Sequence, residues 1–356
     1  MSRQRSVPRL VAPNLHECVA CSLWQLLVII VLGVLAGCIT AARGSTPQVS
    51  PDARDSPVPA TASPHGADFP SVGTISAAVA SPPSDSSQPH RVFLWTISSS
   101  TATVQLLGSV HMASRDVYPL APRIESAFDS AETVVLEIPM DQASQLQAAQ
   151  KLALAGTYSP GDSIDKHLNG EILALLQEHL SRSGASLDTV RAFRPWLVAV
   201  MMTLGEMQRQ GYRPDLGLDI YFAEKVKGRK RIAALETVDE QVALFAGMTG
   251  PLQEEMLKET LTVLGGLGED MKRALLLWRT GDAEGMDKLL VAPLRKDYPN
   301  LYQTLFVERN RRMAAEIEGY LRSTGRYFVV VGAGHLVGPD GILELLRGKG
   351  YTVHQE

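Results

Sequence analysis

The hydrophobic positions of the chain form continuous runs near both ends of the region that follows residue 90. These runs lie at residues 91–97, 102–108, 133–138 and 327–332, and a last short run lies at 351–354. Runs of successive apolar residues, such as VVLEI and FVVVG, are typical of strands buried on both faces in parallel sheets covered by helices. The pattern therefore predicts a sheet whose strands come from both ends of this region.

Between these runs the apolar residues recur every three or four positions, which places them on one face of a helix. Two such faces consist of Ile172, Leu175, Leu176 and Leu180, and of Met313, Ile317, Tyr320 and Leu321. Pro195 opens a further helical segment, because proline is favoured in a first helical turn. The predicted fold class is α/β, with a central, mostly parallel sheet formed by the N- and C-terminal parts and a large helical middle segment.

The first 38 residues resemble an export signal. The uncharged apolar segment Leu23–Leu35 follows three arginines and is shorter than the ~20 residues that a membrane span needs. It ends in Leu35-Ala36-Gly37-Cys38, which resembles the bacterial lipobox, whose cysteine becomes the lipidated first residue of the mature protein. We predict a signal peptide with a lipobox at 1–38 and lipidation at Cys38. The alternative is an uncleaved N-terminal membrane anchor.

Residues 39–90 are rich in Pro, Ser and Ala and poor in aromatic and large aliphatic residues. Such a segment buries too little apolar surface to offset its chain entropy, so we predict a disordered tether. It leads into a folded domain at 91–356. Either form of the N-terminus places this domain outside the cytoplasm, and the lipobox predicts a lipid-anchored protein of the bacterial cell envelope.

Composition narrows the chemistry of the domain. The 356 residues carry a net charge of only −4, so no basic excess argues for nucleic-acid binding. All three cysteines, Cys18, Cys21 and Cys38, precede the tether. The domain therefore has neither a disulfide nor thiolate chemistry.

Two copies of one pattern, G-x-x-H, follow predicted strands that are far apart in the sequence. They are Gly108 to His111 and Gly332 to His335. A third predicted strand ends in Glu137, and a lone carboxylate buried in such a run is costly unless it is paired or bound to a metal. Ligands of open α/β sheets bind beyond the carboxyl ends of the strands, so we expect these three side chains to face one crevice.

Two imidazoles and one carboxylate suit Zn, Mn, Fe or Co and leave positions open for water and substrate. Without a metal, His111, Glu137 and His335 can share the roles of general base, acid and orienting partner. Each residue also has an ordinary alternative: a histidine at a strand end is often a hydrogen-bonded core residue, and Glu137 can form a buried ion pair with Arg309 or Arg312.

Further candidates come from other segments. The guanidinium of Arg309 can orient a substrate carbonyl or carboxylate, or form a surface salt bridge. Glu236 follows an apolar run and can support a histidine or simply start a helix, and Asp219 is a weaker candidate. The turn Gly338–Gly341 leads into the last helix, whose first amides can hold an anion; a plain turn is the alternative.

The domain resembles the TraB/GumN family, to which the Tiki membrane metalloproteases are related. The similar segments are residues 104–138, 217–241, 306–321 and 327–353, in the family's order. The resemblance implies a fold similar to the erythromycin-esterase and ChaN group and a site built on His111, Glu137, His335 and Arg309. Tiki proteases depend on Mn or Co, whereas erythromycin-esterase-like relatives hydrolyse lactones with a histidine as base.

These observations predict a cell-envelope, metal-dependent hydrolase that acts on a peptide or another small polar substrate. His111, Glu137 and His335 would hold Mn, Co or Zn or share the acid–base work, with Arg309 assisting. Gly108, Gly332 and Glu236 would contact the substrate or support the site. The alternatives are an envelope protein that binds a metal or haem without catalysis and a polysaccharide-associated accessory protein.

Overall fold

In the computed structural model, which describes residues 91–356, six strands form one sheet. They are β1 (Leu94–Ser98), β2 (Ala102–Ser109), β3 (Thr133–Leu136), β4 (Arg231–Ala234), β5 (Gly325–Gly332) and β6 (Val353–Gln355). Their order across the sheet is β4-β3-β5-β2-β1-β6. The first four strands of this order run parallel, and β1 pairs antiparallel with both β2 and β6.

The helices lie mainly between β3 and β5, as the sequence predicts. In chain order they are α1 (Pro122–Ser130), α2 (Gln142–Ala155), α3 (Gly170–Arg182), α4 (Pro195–Arg209), α5 (Leu218–Val226), α6 (Val238–Ala246), α7 (Gly250–Val263), α8 (Leu267–Arg279), α9 (Ala283–Met286), α10 (Ala292–Asp297), α11 (Pro299–Tyr302), α12 (Glu308–Arg322), α13 (Ala333–Leu336) and α14 (Ile342–Gly348). Two π-helical segments, Asp287–Val291 and Gln303–Val307, join α9 to α10 and α11 to α12.

The predicted fold class is confirmed. Strands from both ends of the domain form a mostly parallel sheet, and Pro195 stands at the first position of α4. The apolar pattern missed β4, because this edge strand leaves Arg231 and Ile232 exposed and so lacks a buried run. The predicted signal peptide, Cys38 and the tether lie outside the described residues.

Aromatic rings pack the sheet against its neighbouring helices. Phe128 of α1 and Phe222 of α5 meet Phe328 of β5, with ring centroids 5.9 Å and 4.9 Å from it. All three rings are fully buried. Large rings in edge-to-face contact contribute strongly to a core, so the strands that lead to the candidate site are firmly anchored. Within residues 91–356, no helix is long and apolar enough to span a membrane.

A buried carboxyl group in α7 predicts a pH dependence of stability. Burial raises the pKa of Glu259 from its ordinary value of 4.5 to about 7. The unfolded chain releases this proton near pH 4.5 and the folded protein retains it, so stability should fall as pH rises through this window. Between pH 5 and pH 8 the free energy of unfolding of the wild type should fall by up to ~3 kcal/mol more than that of Glu259→Gln, measured by urea unfolding. Glu316→Gln, at an exposed position of α12, is the control; equal pH dependence of wild type and Glu259→Gln would contradict the prediction.

Candidate active site

The carboxyl ends of four parallel strands meet at one edge of the sheet, and each is followed by a buried titratable side chain. His111 follows β2, Glu137 follows β3, Glu236 follows β4, and His335 follows β5 in the short helix α13. Their exposed fractions are 7%, 3%, 4% and 0%. The structure thus brings the predicted residues together, as the strand-end argument requires, while their catalytic roles stay predictions.

Arg309, at the start of α12 and 1% exposed, lies at the centre of this group. Its Nε donates to Glu236 (2.9 Å), Nη2 donates to Glu137 and Glu236, and Nη1 donates to His335 Nε2 (2.9 Å) and the Leu305 carbonyl (3.5 Å). A guanidinium has five N–H donors, and these contacts use all of them. In this arrangement Arg309 has no N–H left to orient a substrate carbonyl, which is the role that the sequence suggested.

The charge of Arg309 is matched by carboxylates. Burial alone lowers the pKa of Arg309, but Glu137 and Glu236 outweigh burial and raise that pKa. Glu137 therefore forms the buried ion pair with Arg309. Arg312, the other arginine considered, pairs instead with Glu236, with 3.6 Å between Arg312 Nη2 and Glu236 Oε1. A buried pair of this kind is stable only while both partners remain, so these residues form one unit.

His335 is fixed by hydrogen bonds on both ring nitrogens. Asn310 Oδ1 lies 2.6 Å from His335 Nδ1, and Asn310 Nδ2 donates to the carbonyl oxygen of Asp340 (2.8 Å). Because the Asn310 amide nitrogen is committed to that carbonyl, its oxygen accepts from a protonated Nδ1, and Nε2 accepts from Arg309. Burial, then the charges of Arg309 and His111, hold the pKa of His335 well below its usual value.

Asn310 and the carbonyl of Asp340 are site features that the sequence analysis did not identify. Asn310 directly follows Arg309, and Asp340 belongs to the turn Gly338–Gly341. That turn presents a carbonyl oxygen to Asn310, and Gly338 adopts φ +80°. The turn therefore supports the His335 side of the site.

His111 has one occupied and one free ring nitrogen. Nδ1 lies 2.6 Å from Asp219 Oδ2, which also accepts a hydrogen bond from the Ser109 hydroxyl. Nε2 is buried without a hydrogen-bond partner in the described part of the chain, 3.9 Å from Glu137 Oε2. Burial lowers the pKa of His111, but Asp219 and then Glu137 outweigh burial, so the pKa is raised. Asp219, a weak candidate from the sequence, is thus the direct partner of His111.

The two glycines of the G-x-x-H motifs have different environments. The Gly332 amide donates to Glu137 Oε2 (3.1 Å) and helps to orient that carboxylate. A Cβ on Gly108 would lie within 2.6 Å of the Phe93 ring and 3.2 Å of the Ala333 backbone. Gly108 therefore leaves room for core packing and for the start of the helix that carries His335.

Gly217 controls the loop that carries His111. A Cβ on Gly217 would lie 2.8 Å from the His111 carbonyl carbon and closer still to its oxygen. Gly217→Ala should displace this loop and destabilise the protein by about 1–3 kcal/mol, measured by urea unfolding. Gly205→Ala is the control. Gly205 lies inside α4, where alanine is favoured over glycine, and a Cβ at this position would have no neighbouring atom within 4 Å. Equal stability of the two variants would contradict this role.

The predicted metal ligands meet only part of what a metal site requires. His111 Nε2 is free and lies near Glu137 Oε2, but His335 Nε2 accepts a hydrogen bond from the positively charged Arg309. Across residues 91–356, no group of three or more His, Cys, Asp or Glu side chains is arranged to hold a metal ion. In this arrangement Arg309 occupies His335 Nε2, so of the three predicted ligands His111 and Glu137 are the pair that would hold a metal.

The fold and the site define an α/β protein with a buried set of titratable residues at the carboxyl ends of its parallel strands, the edge at which open α/β sheets bind ligands. The chain belongs to the TraB/PrgY/gumN family, whose sequence model matches residues 93–355. This match confirms the family that the sequence motifs indicated.

Individual relatives are distant. The uncharacterized protein YbaP of Escherichia coli is 24% identical over 244 residues, which cover 68% of this chain and 87% of that relative. An uncharacterized protein of Treponema pallidum is 24% identical over 297 residues, covering 75% and 83%. Metalloprotease TIKI1 of Homo sapiens is 22% identical over 319 residues, covering 73% of this chain and 61% of the relative. No solved structure matches the chain.

Proposed function

We propose that the protein is a hydrolase in which His111 acts as the general base for a water molecule. The observation that carries this proposal is the buried Nε2 of His111, which has no hydrogen-bond partner within residues 91–356 and lies 3.9 Å from Glu137 Oε2. Hydrogen bonds of about 2.8 Å allow one water molecule to donate to both atoms at once. A buried nitrogen without a partner is unfavourable, so such a water also satisfies the site.

The surrounding residues suit this role. The Asp219 carboxylate accepts from Nδ1–H of His111, so the lone pair of the neutral ring is on Nε2. His111 takes a proton from the water as it attacks the substrate carbonyl, and the resulting imidazolium, stabilised by Asp219, returns the proton to the leaving group. Glu137, oriented by Arg309 and the Gly332 amide, positions the water.

Peptide bonds are the proposed substrate class, supported by the distant relatives named metalloproteases. The test is to incubate the purified full-length protein with a peptide library and identify the products by mass spectrometry. We expect cleavage by the wild type. A protein that cleaves no peptide would contradict the proposal and favour the alternatives of a binding or accessory protein.

A metal-dependent form of the same hydrolysis is the second candidate. It is supported by the names of the Tiki relatives and by the free nitrogen of His111 beside Glu137, since imidazole and carboxylate are both ligands of Mn, Co or Zn. Elemental analysis of the purified protein and hydrolysis after treatment with EDTA separate the candidates. Activity without bound metal supports the acid–base site; stoichiometric metal that is lost together with activity supports the metal site.

We also propose that the protein is lipid-anchored in the cell envelope through Cys38, with its domain outside the cytoplasm. The support is the apolar segment that ends in Leu35-Ala36-Gly37-Cys38. Incorporation of labelled palmitate into the wild type but not into Cys38→Ser is the expected result. Equal labelling would exclude Cys38 as the lipidated residue.

A further inference from the structure

Gln241 is a second polar side chain of the site with an unused atom. It lies in the first turns of α6, whose start is fixed by a capping box between Thr237 and Glu240. The side chain is 4% exposed. Its amide nitrogen lies 3.5 Å from Glu137 Oε1 and 3.4 Å from Glu236 Oε2. Gln241 therefore contacts the same carboxylates that hold Arg309.

These contacts determine the orientation of the Gln241 amide. Ionised carboxylates only accept hydrogen bonds, so the NH2 group must face Glu137 and Glu236 and the carbonyl oxygen must point away from them. That oxygen, Oε1, is buried and has no hydrogen-bond partner within residues 91–356. A buried acceptor without a donor is unfavourable, so it is expected to serve a ligand or water.

The unused atoms of the site are acceptors. Among the described residues, His111 Nε2 and Gln241 Oε1 have no hydrogen-bond donor, and the five N–H groups of Arg309 are all occupied. The two free acceptors belong to residues that flank Glu137, with His111 near its Oε2 and Gln241 near its Oε1. A ligand that fits this site must therefore bring hydrogen-bond donors.

We propose that Gln241 is a specificity-determining residue that accepts a hydrogen bond from the N–H of the scissile amide, so that the site prefers amides to esters. The inference rests on the proposed hydrolase function. An ester places an oxygen where the amide has its N–H, which leaves the buried Gln241 oxygen unpaired and facing lone pairs. A site built to bond an N–H rejects the analogue that lacks it for this reason.

The test uses a peptide that the wild type cleaves and its depsipeptide, in which an ester oxygen replaces the scissile N–H. Gln241→Met keeps the size of the side chain and removes the acceptor. We expect the ratio of kcat/KM for the peptide to kcat/KM for the depsipeptide to fall about tenfold or more, so that the amide preference is lost. A loss common to both substrates would come from the NH2 contacts with Glu137 and Glu236 that the same substitution removes. Gln241→Ala is the second variant, in case Gln241→Met does not fold.

Gln253→Met is the matched control, because Gln253 is an equally buried glutamine of α7 that bonds the Met248 carbonyl. It should leave the ratio of the two kcat/KM values unchanged. Equal losses on both substrates in the Gln241 variants, or no loss on either, would overturn the role of Gln241 alone. A wild type that cleaves no peptide would overturn the proposed function, and this inference with it.

Discussion

Replacing Arg309 by Met should destabilise the protein by about 3–5 kcal/mol, the largest stability effect expected in the domain. The substitution leaves the carboxylates of Glu137 and Glu236 buried and close to one another without the guanidinium between them. It also removes the donor to His335 Nε2. Urea unfolding followed by circular dichroism measures the change.

Two further variants test whether the loss of stability comes from the buried carboxylates that Arg309→Met leaves unpaired. Arg322→Met removes an arginine of the same helix that pairs with Glu318 at the surface, and it should change stability by less than about 1 kcal/mol. Glu137→Gln and Glu236→Gln combined with Arg309→Met remove the unpaired charges and should recover most of the loss. A loss in Arg309→Met as small as that in Arg322→Met would contradict the described role of Arg309.

Replacing His111 by Ala should lower kcat/KM for a cleaved peptide by about 100- to 10,000-fold, because general-base catalysis contributes an effect of this size. Stability should fall less than in Arg309→Met, because Asp219 keeps its hydrogen bond from Ser109, whereas Glu137 and Glu236 both lose Arg309. Steady-state hydrolysis and urea unfolding of the same preparation measure both quantities.

His167→Ala is the control for this substitution. His167 is exposed and pairs with Asp162, and both residues lie in the segment between α2 and α3. It should hydrolyse peptides at the wild-type rate. Wild-type activity in His111→Ala would exclude His111 as the base.

The sequence predicted the sheet and the strand-end residues for a simple physical reason. Buried parallel strands require continuous apolar runs, and their carboxyl ends must meet at one edge, so His111, Glu137 and His335 could be placed from the pattern alone. The edge strand β4 escaped prediction because it pairs with β3 on one side only. Its exposed residues Arg231 and Ile232 leave it without a buried apolar run.

The partners of these residues were harder to predict. Asp219, Asn310 and Gln241 lie on helices whose polar positions look like ordinary solvated faces in the sequence. Only the packing of α5, α12 and α6 shows which of them turn towards the site. Arg309 was named from the sequence as a site residue and as an ion-pair partner of Glu137, but its hydrogen bonds to Glu236 and His335 could not be predicted there.

The central claim is that neutral His111, oriented by Asp219, takes the proton from the attacking water. Its most direct test is the pH dependence of kcat/KM for one cleaved peptide in the wild type and in Asp219→Asn. Because Asp219 and Glu137 raise the pKa of His111, wild-type activity should increase with pH through a midpoint above 6.5. Without the Asp219 charge, burial and Arg309 dominate, so the midpoint should move to lower pH while the maximal rate falls about 100-fold or more. An unchanged midpoint in Asp219→Asn would contradict the assignment of His111 as the base.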